Sequence, residues 1–291
     1  MRVSLILFFI AISTTALLPQ NTYEPAGNEI YDFLERLNIK GVIDFNTAVK
    51  PVTRADIAGY LIKADSLSAK LSDLEKKELE FYKEEFADEI DIRTGSRGFK
   101  LPVTEFITEG QTGRFRIFRY RDSTFTFYAD PVLGYKINFS DSKNNSHRFN
   151  GAVLSGYYKN WGFSLKFRDN QESGDNIDIS KYLTPEPGIN LTKTGRQSIQ
   201  YDEVDAEVNY GWNTGVISAG KYPLIWGSGQ GGQLIFSDKA PSFPLIRFDF
   251  NPVSWLRFTY IHGWLHSGIM DSSSFRYGII KDRNTFSQVE K

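Results

Sequence analysis

The feature that most constrains this chain is an alternation of apolar with polar residues at a period of two, found beyond residue 113. The clearest stretches are 133–139, 161–168, 203–210 and 256–260. Successive side chains of a strand point to opposite faces of a sheet. Each stretch therefore predicts a strand with one apolar and one polar face, and residues 101–291 predict a mainly β, antiparallel domain.

Two architectures produce this alternation. A soluble sandwich turns its apolar face inward. A membrane barrel turns that face to lipid, and the charged polar rows and the aromatic residues at strand ends favour the barrel. We predict that one set of side chains faces lipid: Leu133, Tyr135, Ile137, Phe163, Leu165 and Phe167. The set predicted to line the interior is Lys136, Lys166, Arg168, Glu203 and Asp205.

Connection lengths agree with a barrel. The predicted links alternate between long and short: 140–147, then 159–160, about 30 residues from Asp169, 211–213, 226–245 and 251–253. Outer-membrane barrels have long extracellular loops and tight periplasmic turns. Arginines occupy both faces of residues 114–121, so we predict that this segment lies outside the membrane and that the first strand spans about 124–139.

The N-terminus predicts export. Arg2 precedes an apolar run from Val3 to Ile12, and small residues reach Ala16. The run is shorter than the roughly 20 residues that span a bilayer. Residues 1–16 therefore predict a signal peptide that directs the chain to the cell envelope.

Residues 17–100 predict a small helical periplasmic module. Ile30, Phe33, Leu34 and Leu37 have helical spacing and precede Gly41. Thr53 and Asp56 predict the start of a second helix with Ile57, Tyr60, Leu61 and Ala64 inward. A third helix is predicted over about 72–90, with Leu74, Leu79, Tyr82, Phe86 and Ile90 inward. Its other, acidic face predicts a solvated surface.

The stretch 30–61 also resembles an S-layer-homology repeat, in Gly41-Val42-Ile43, Lys50-Pro51 and Thr53-Arg54-Ala55-Asp56. That resemblance implies binding to cell-wall polymers through residues 30–64. Only one copy is visible, and Val49-Lys50 stands where an aromatic residue usually precedes the proline. A helix-turn-helix packed for stability is the alternative.

A glycine-rich segment follows the third alternating stretch. Gly227, Gly229 and Gly232 satisfy the dinucleotide pattern G-x-G-x-x-G. That site needs a helix to begin at the last glycine, whereas Pro241 and Pro244 follow. A glycine turn that joins two strands is the simpler interpretation.

The same segment resembles the signature of the capsule-assembly Wzi family, in Trp226-Gly227-x-Gly229, Gln233-Leu234-x-Phe236-Ser237-Asp238-x-Ala240-Pro241 and Phe243-Pro244. The resemblance implies an outer-membrane β-barrel whose partners are membrane lipid and capsular polysaccharide, with no catalytic role for the signature. Its residues are Trp226, Gly227, Gly229, Ser237, Asp238, Ala240 and Pro241. We expect the chain to leave a strand near Tyr222, bury Trp226, use positive φ at glycines and re-enter the sheet after Pro244.

Other chemistries have little support. The net charge of -1 gives no basic field for nucleic acid, and without cysteine there is no thiolate metal site. His262 and His266 lie about 13 Å apart on a strand, too far to share a metal. His147 is predicted to be solvated in a polar loop, and Asn170–Gln200 predicts a second polar loop. We predict no enzyme, no cofactor and no metal.

The sequence thus predicts an antiparallel outer-membrane β-barrel preceded by a small α-helical module, in a Gram-negative-type cell. Seven or eight strand-like segments, and a last residue that is lysine rather than the usual terminal aromatic residue, predict the N-terminal part of a larger protein. The predicted role is assembly or attachment of surface polysaccharide. A porin-like channel and a soluble periplasmic cell-wall-binding protein remain alternatives.

Overall fold

The computed structural model describes residues 22–46, 48–96, 102–109, 115–140, 143–175, 177, 193–195, 197–227, 229, 232–233, 235–237, 240–253 and 255–265. The predicted signal peptide lies outside these residues. Within them, no helix combines the length and the apolar character needed to cross a bilayer.

The described residues contain four α-helices near the start of the chain: α1 (Ile30–Ile39), α2 (Arg54–Ser66), α3 (Asp73–Glu85) and α4 (Ala87–Arg93). The Thr53 side chain accepts the Asp56 N–H and caps α2, whereas Ser72 and Glu75 form a reciprocal capping box at α3. The predicted third helix is therefore two helices, which meet at Phe86.

The helices share a core of their own, as the helical spacing predicts. Its fully buried members include Ile30, Phe33, Leu34, Leu37, Ile57 and Leu61, and Leu79, Tyr82 and Phe86 join them. The prediction for Leu74 was wrong, because this side chain lies in the first turn of α3 and is 70% exposed.

The rest of the described chain is mainly β. The strands are β1 (Val49–Lys50), β2 (Val103–Glu109), β3 (Phe115–Arg121), β4 (Phe125–Ser140), β5 (Lys143–Tyr158), β6 (Trp161–Gly174), β7 (Lys193–Thr194), β8 (Ser198–Trp212), β9 (Gly215–Tyr222), β10 (Ile225–Trp226), β11 (Phe243–Val253) and β12 (Leu256–Gly263). The large antiparallel sheet has the order β12-β11-β9-β8-β6-β5-β4-β3-β2, with β7 beside β8; β1 and β10 form a separate pair. Strands β2 and β12 are its two edges among the described residues.

Three sequence predictions about strand extent were wrong. The predicted first strand at about 124–139 is preceded by two others, β3 in the arginine-rich segment and β2 before it. The ladder of β4 and β5 continues to Ser140 and Lys143, so residues 140–147 are not a long link. Strand β6 continues through the polar residues to Gly174, and β8 begins at Ser198. Backbone pairing continues past the apolar alternation because it does not require apolar side chains.

The two faces of the sheet have opposite chemistry, as the alternation predicts. On what we call the apolar face, Leu133 is 76% exposed, and Tyr135, Ile137, Leu165 and Phe167 are also exposed, while Phe163 is partly buried. On the polar face, register places Lys166 opposite Asp205 and Arg168 opposite Glu203. Lys136 is on this face too, opposite His147, and is exposed.

Candidate functional site

The polar face carries ion pairs, both between neighbouring strands and within one strand. The Lys166 Nζ lies 2.5 Å from Glu203 Oε1, and the Arg168 guanidinium lies 2.7 Å from Glu203 Oε2. On β11, Arg247 Nε lies 2.8 Å from Asp249 Oδ2, and both side chains are almost fully buried. Opposite charges on neighbouring residues of a sheet attract each other. The acidic and basic side chains of the polar face therefore neutralise one another.

The helical module lies on this polar face, near the short turns of the sheet. The Tyr157 hydroxyl donates to Glu89 at 2.8 Å and is 2.9 Å from the Thr22 hydroxyl. Arg54 Nε is 2.6 Å from the same Glu89 carboxylate. Burial raises the pKa of Glu89, but the Arg54 guanidinium and the hydrogen bond from Tyr157 together outweigh burial and lower the pKa below its usual range. This contact is therefore a buried, charged junction.

A second junction centres on Tyr23. Its backbone N–H donates to Glu207 at 2.9 Å, and its hydroxyl donates to Asp249 at 3.0 Å. The Arg247 guanidinium lies 4.6 Å from the centre of the Tyr23 ring and donates to the Pro51 carbonyl at 2.8 Å. One tyrosine thus connects the N-terminal segment to β8 and β11.

The signature turn, residues 223–242, begins where β9 ends at Tyr222, as expected. The register of β1 and β10 places Val49 opposite Trp226 and Lys50 opposite Ile225. The Gly227 N–H donates to the Ala48 carbonyl at 2.8 Å, and the Trp226 N–H donates to the Phe236 carbonyl at 2.9 Å. The chain re-enters the sheet at β11, one residue before Pro244.

The dinucleotide interpretation does not fit this geometry. After Gly232 the chain returns to form a bridge between Phe236 and Trp226, and the next regular element is β11. No helix begins at Gly232 in the described part of the turn, so the dipole and free N–H groups that hold a pyrophosphate are missing there.

An apolar cluster joins the turn, the module and the sheet. Its buried members are Tyr23, Val49, Val216, Tyr222, Leu224, Phe243 and Leu245, with Trp226, Phe236 and Ile261 packed against them. The sheet contributes four of the buried side chains from its polar face: Val216 and Tyr222 of β9, and Phe243 and Leu245 of β11. The polar face therefore has a local apolar area where the module and the turn meet.

The signature residues have different environments. Trp226 is partly buried rather than substantially buried, and Gly229 and Pro241 are exposed. Gly227 and Gly232 have φ of +138° and +156°, which confirms the expected positive φ at glycines. The Ala240 N–H donates to the Ser237 carbonyl at 3.3 Å. Asp238 lies outside the described residues.

The histidine prediction was wrong for His147, which lies in β5 and is buried. Its Nε2 lies 3.0 Å from Asn170 Oδ1, and Tyr201 in turn donates to Glu172 at 2.8 Å. His262 is exposed on β12 beside Trp264, and His266 lies outside the described residues. No group of three or more histidine or acidic side chains in the described part is placed to hold a metal ion.

The sequence did not single out the residues that join the module to the sheet. For Arg247 and Asp249 the sequence does contain a pattern. They alternate with Ile246, Phe248 and Phe250, which predicts that both charged side chains lie on the polar face of a strand. Tyr23 had no such signal, because it lies in an irregular segment.

Comparison with known proteins adds no relative: no family model, no curated protein and no solved structure matches this chain.

Proposed function

We propose that this chain is part of a non-catalytic outer-membrane β-barrel that assembles or attaches surface polysaccharide in a Gram-negative-type cell. The observation that carries the proposal is the inverted chemistry of the sheet. Large apolar side chains of β4, β6, β8 and β12 are exposed, whereas Glu203 and Arg247 are buried on the other face. A water-facing sheet has the reverse distribution, and a lipid-facing one has this distribution.

The polysaccharide part of the proposal rests on the resemblance of the signature turn to the capsule-assembly Wzi family. The described part of the turn lies between β9 and β11, which are neighbours in the sheet. Surface polysaccharide is accordingly the proposed partner, together with membrane lipid.

Cell fractionation tests the membrane location. We expect the full chain to remain with the outer membrane after washing with carbonate or urea, because the apolar face contacts lipid. Recovery in the soluble periplasm would overturn the barrel and favour a cell-wall-binding protein. Against that alternative, Pro51 in the S-layer-like segment already accepts a hydrogen bond from Arg247.

Loss of the gene tests the polysaccharide role. We expect deletion cells to release surface polysaccharide into the medium and complementation to restore cell-bound polymer. Cell-bound polysaccharide that is unchanged by deletion would overturn this role while leaving the barrel intact.

A porin-like channel is the second candidate, and the charged polar face favours it. In this alternative, the purified full chain forms stable open pores in planar bilayers. The helical module lies on the polar face through the Tyr157 and Tyr23 junctions, so we expect low conductance instead.

A further inference from the structure

We propose that the signature turn is a clamp that holds the helical module on the polar face of the sheet. The inference concerns contacts within one chain, and it does not depend on the proposed polysaccharide role. It gives the signature a positioning function that the resemblance to a family does not supply.

Backbone contacts carry the first part of the argument. The ladder of Val49 with Trp226 and Lys50 with Ile225 joins the module to the turn, and Gly227 adds its N–H to the Ala48 carbonyl. The turn is braced in the same place by the hydrogen bond from Trp226 to Phe236. The turn thus pairs with the module as one strand adds to another, and in such contacts main-chain hydrogen bonds supply the affinity.

Side chains carry the second part. Val49 comes from the module, Leu224 from the turn and Leu245 from the sheet, and all three are buried in one apolar cluster. Trp226 and Phe236 pack against this cluster from the turn. Burial of apolar side chains contributes roughly 25 cal/mol for each Å², so the cluster favours the docked position of the turn and the module together.

The geometry of the turn also disfavours a phosphate or other anion as its ligand. The backbone N–H groups of Trp226 and Gly227 already donate to the Phe236 and Ala48 carbonyls, so they are not available to an anion. Gly227 has a φ of +138°, and a Cβ there would lie 3.1 Å from the Gln233 side chain. A side chain at this position would strain the point where the turn meets Ala48.

Hydrogen exchange of the full chain in detergent tests the clamp. Gly227→Val strains the turn, and Phe236→Ala removes a ring from the cluster without changing the ladder. Ile235→Ser is the matched control, since Ile235 is in the same turn and 61% exposed. We expect roughly tenfold faster exchange in peptides covering 22–24 and 48–54 for the first two variants, and no change for the control.

Exchange within α1 separates loss of the clamp from general unfolding. Because α1 packs in the module's own core, we expect its amides to keep their protection. Wild-type exchange at 22–24 and 48–54 in both variants, with the sheet folded by circular dichroism, would overturn the proposal. So would equal acceleration throughout α1 and the sheet, which indicates general unfolding.

A cysteine pair gives the converse test. The chain has no cysteine, so Val49→Cys with Trp226→Cys can form only one disulfide, between residues that are directly opposite. We expect rapid exchange at 48–54 in the reduced protein and at least wild-type protection in the oxidised one. Identical exchange in the two redox states, with the disulfide shown by mass spectrometry, would contradict the clamp.

Discussion

The helical module and the sheet bury opposite kinds of side chain. In the module, Leu34 and Ile57 are fully buried, and charged side chains of α3 such as Asp73 and Glu80 are exposed. In the sheet, Leu133 and Phe139 are both 76% exposed, whereas Arg247 is fully buried. One chain therefore combines a helical region with a buried apolar core and a sheet with an exposed apolar face, which is the distribution expected in the proposed lipid environment.

The difference explains the chemistry of their contact. A sheet with charged side chains on its polar face cannot bind an apolar helix surface without leaving those charges unpaired. The module instead presents Asp88, Glu89 and Arg54 there, and Asp88 and Arg121 form an ion pair 2.5 Å apart. The two regions meet through polar groups, except at the apolar cluster below the signature turn.

The largest expected effect breaks this junction. Arg54 contacts Glu24 and Glu89 and lies 4.1 Å from the centre of the Phe86 ring. Arg54→Met leaves buried carboxylates without their cation, and we expect a loss of about 3–5 kcal/mol in the free energy of unfolding of the module. Urea titration in detergent, followed by the helical circular dichroism signal, measures it.

Arg36→Met is the control for Arg54. The pair of Arg36 and Glu78 is largely exposed, so its loss should cost at most about 1 kcal/mol. Equal costs for the two arginine variants would contradict a buried charged junction between the module and the sheet.

The second prediction tests whether a buried apolar core stabilises the module. Leu34→Ala removes a fully buried side chain from α1, and we expect a cost of about 2–5 kcal/mol. Leu74→Ala in α3 removes an exposed one and should change stability by at most about 0.5 kcal/mol. The same urea titration compares them, and a similar cost at both positions would be inconsistent with the observed core.

Much of this comparison could be predicted from local sequence patterns. The spacing of Ile30, Phe33 and Leu37 predicts α1 because a helix and its buried face are set by nearby residues. The alternation from Leu133 onward predicts both faces of β4. Strand β3 was not predicted because its arginines are untypical of a membrane strand. Asp88 of the module forms ion pairs with Arg119 and Arg121, and no local sequence pattern indicates this partner.

The candidate site was predictable only in part, for the same reason. Positive φ at Gly227 follows from its own lack of a side chain. The partner of that turn, Ala48 to Lys50, lies far away along the chain, and no local pattern connects the two segments. His147 was misassigned to a loop because the polar residues around it hide the continuation of β5.

The third prediction compares the two faces of the sheet directly. Leu165→Arg places a charge on the apolar face and should cost about 2–4 kcal/mol if the side chain lies near the bilayer midplane. Lys166→Leu on the polar face should cost less, because Glu203 keeps Arg168 as a partner at 2.7 Å. Folding into lipid vesicles, measured by urea titration, gives both values. Equal tolerance of the two changes would count against a lipid-facing surface.

The smallest expected effect is a pH dependence at the capping box of α3. The Glu75 carboxylate accepts hydrogen bonds from the Lys40 side chain and from the Ser72 N–H, and these lower its pKa from 4.5 to about 2. The unfolded chain binds a proton at higher pH than the folded module does. Stability from this group is therefore fully present above about pH 4.5 and is lost as the pH falls towards about 2.

Glu75→Gln isolates this charge, since the glutamine oxygen can still accept from Ser72 while the ion pair with Lys40 is lost. We expect the wild-type module to be more stable than the variant above pH 4.5, and the difference to disappear as the carboxylate is protonated. Because Lys40 is about half exposed, high salt should reduce the difference. A difference that is independent of pH between 2 and 7 would mean that the cap geometry, rather than the charge of Glu75, stabilises α3.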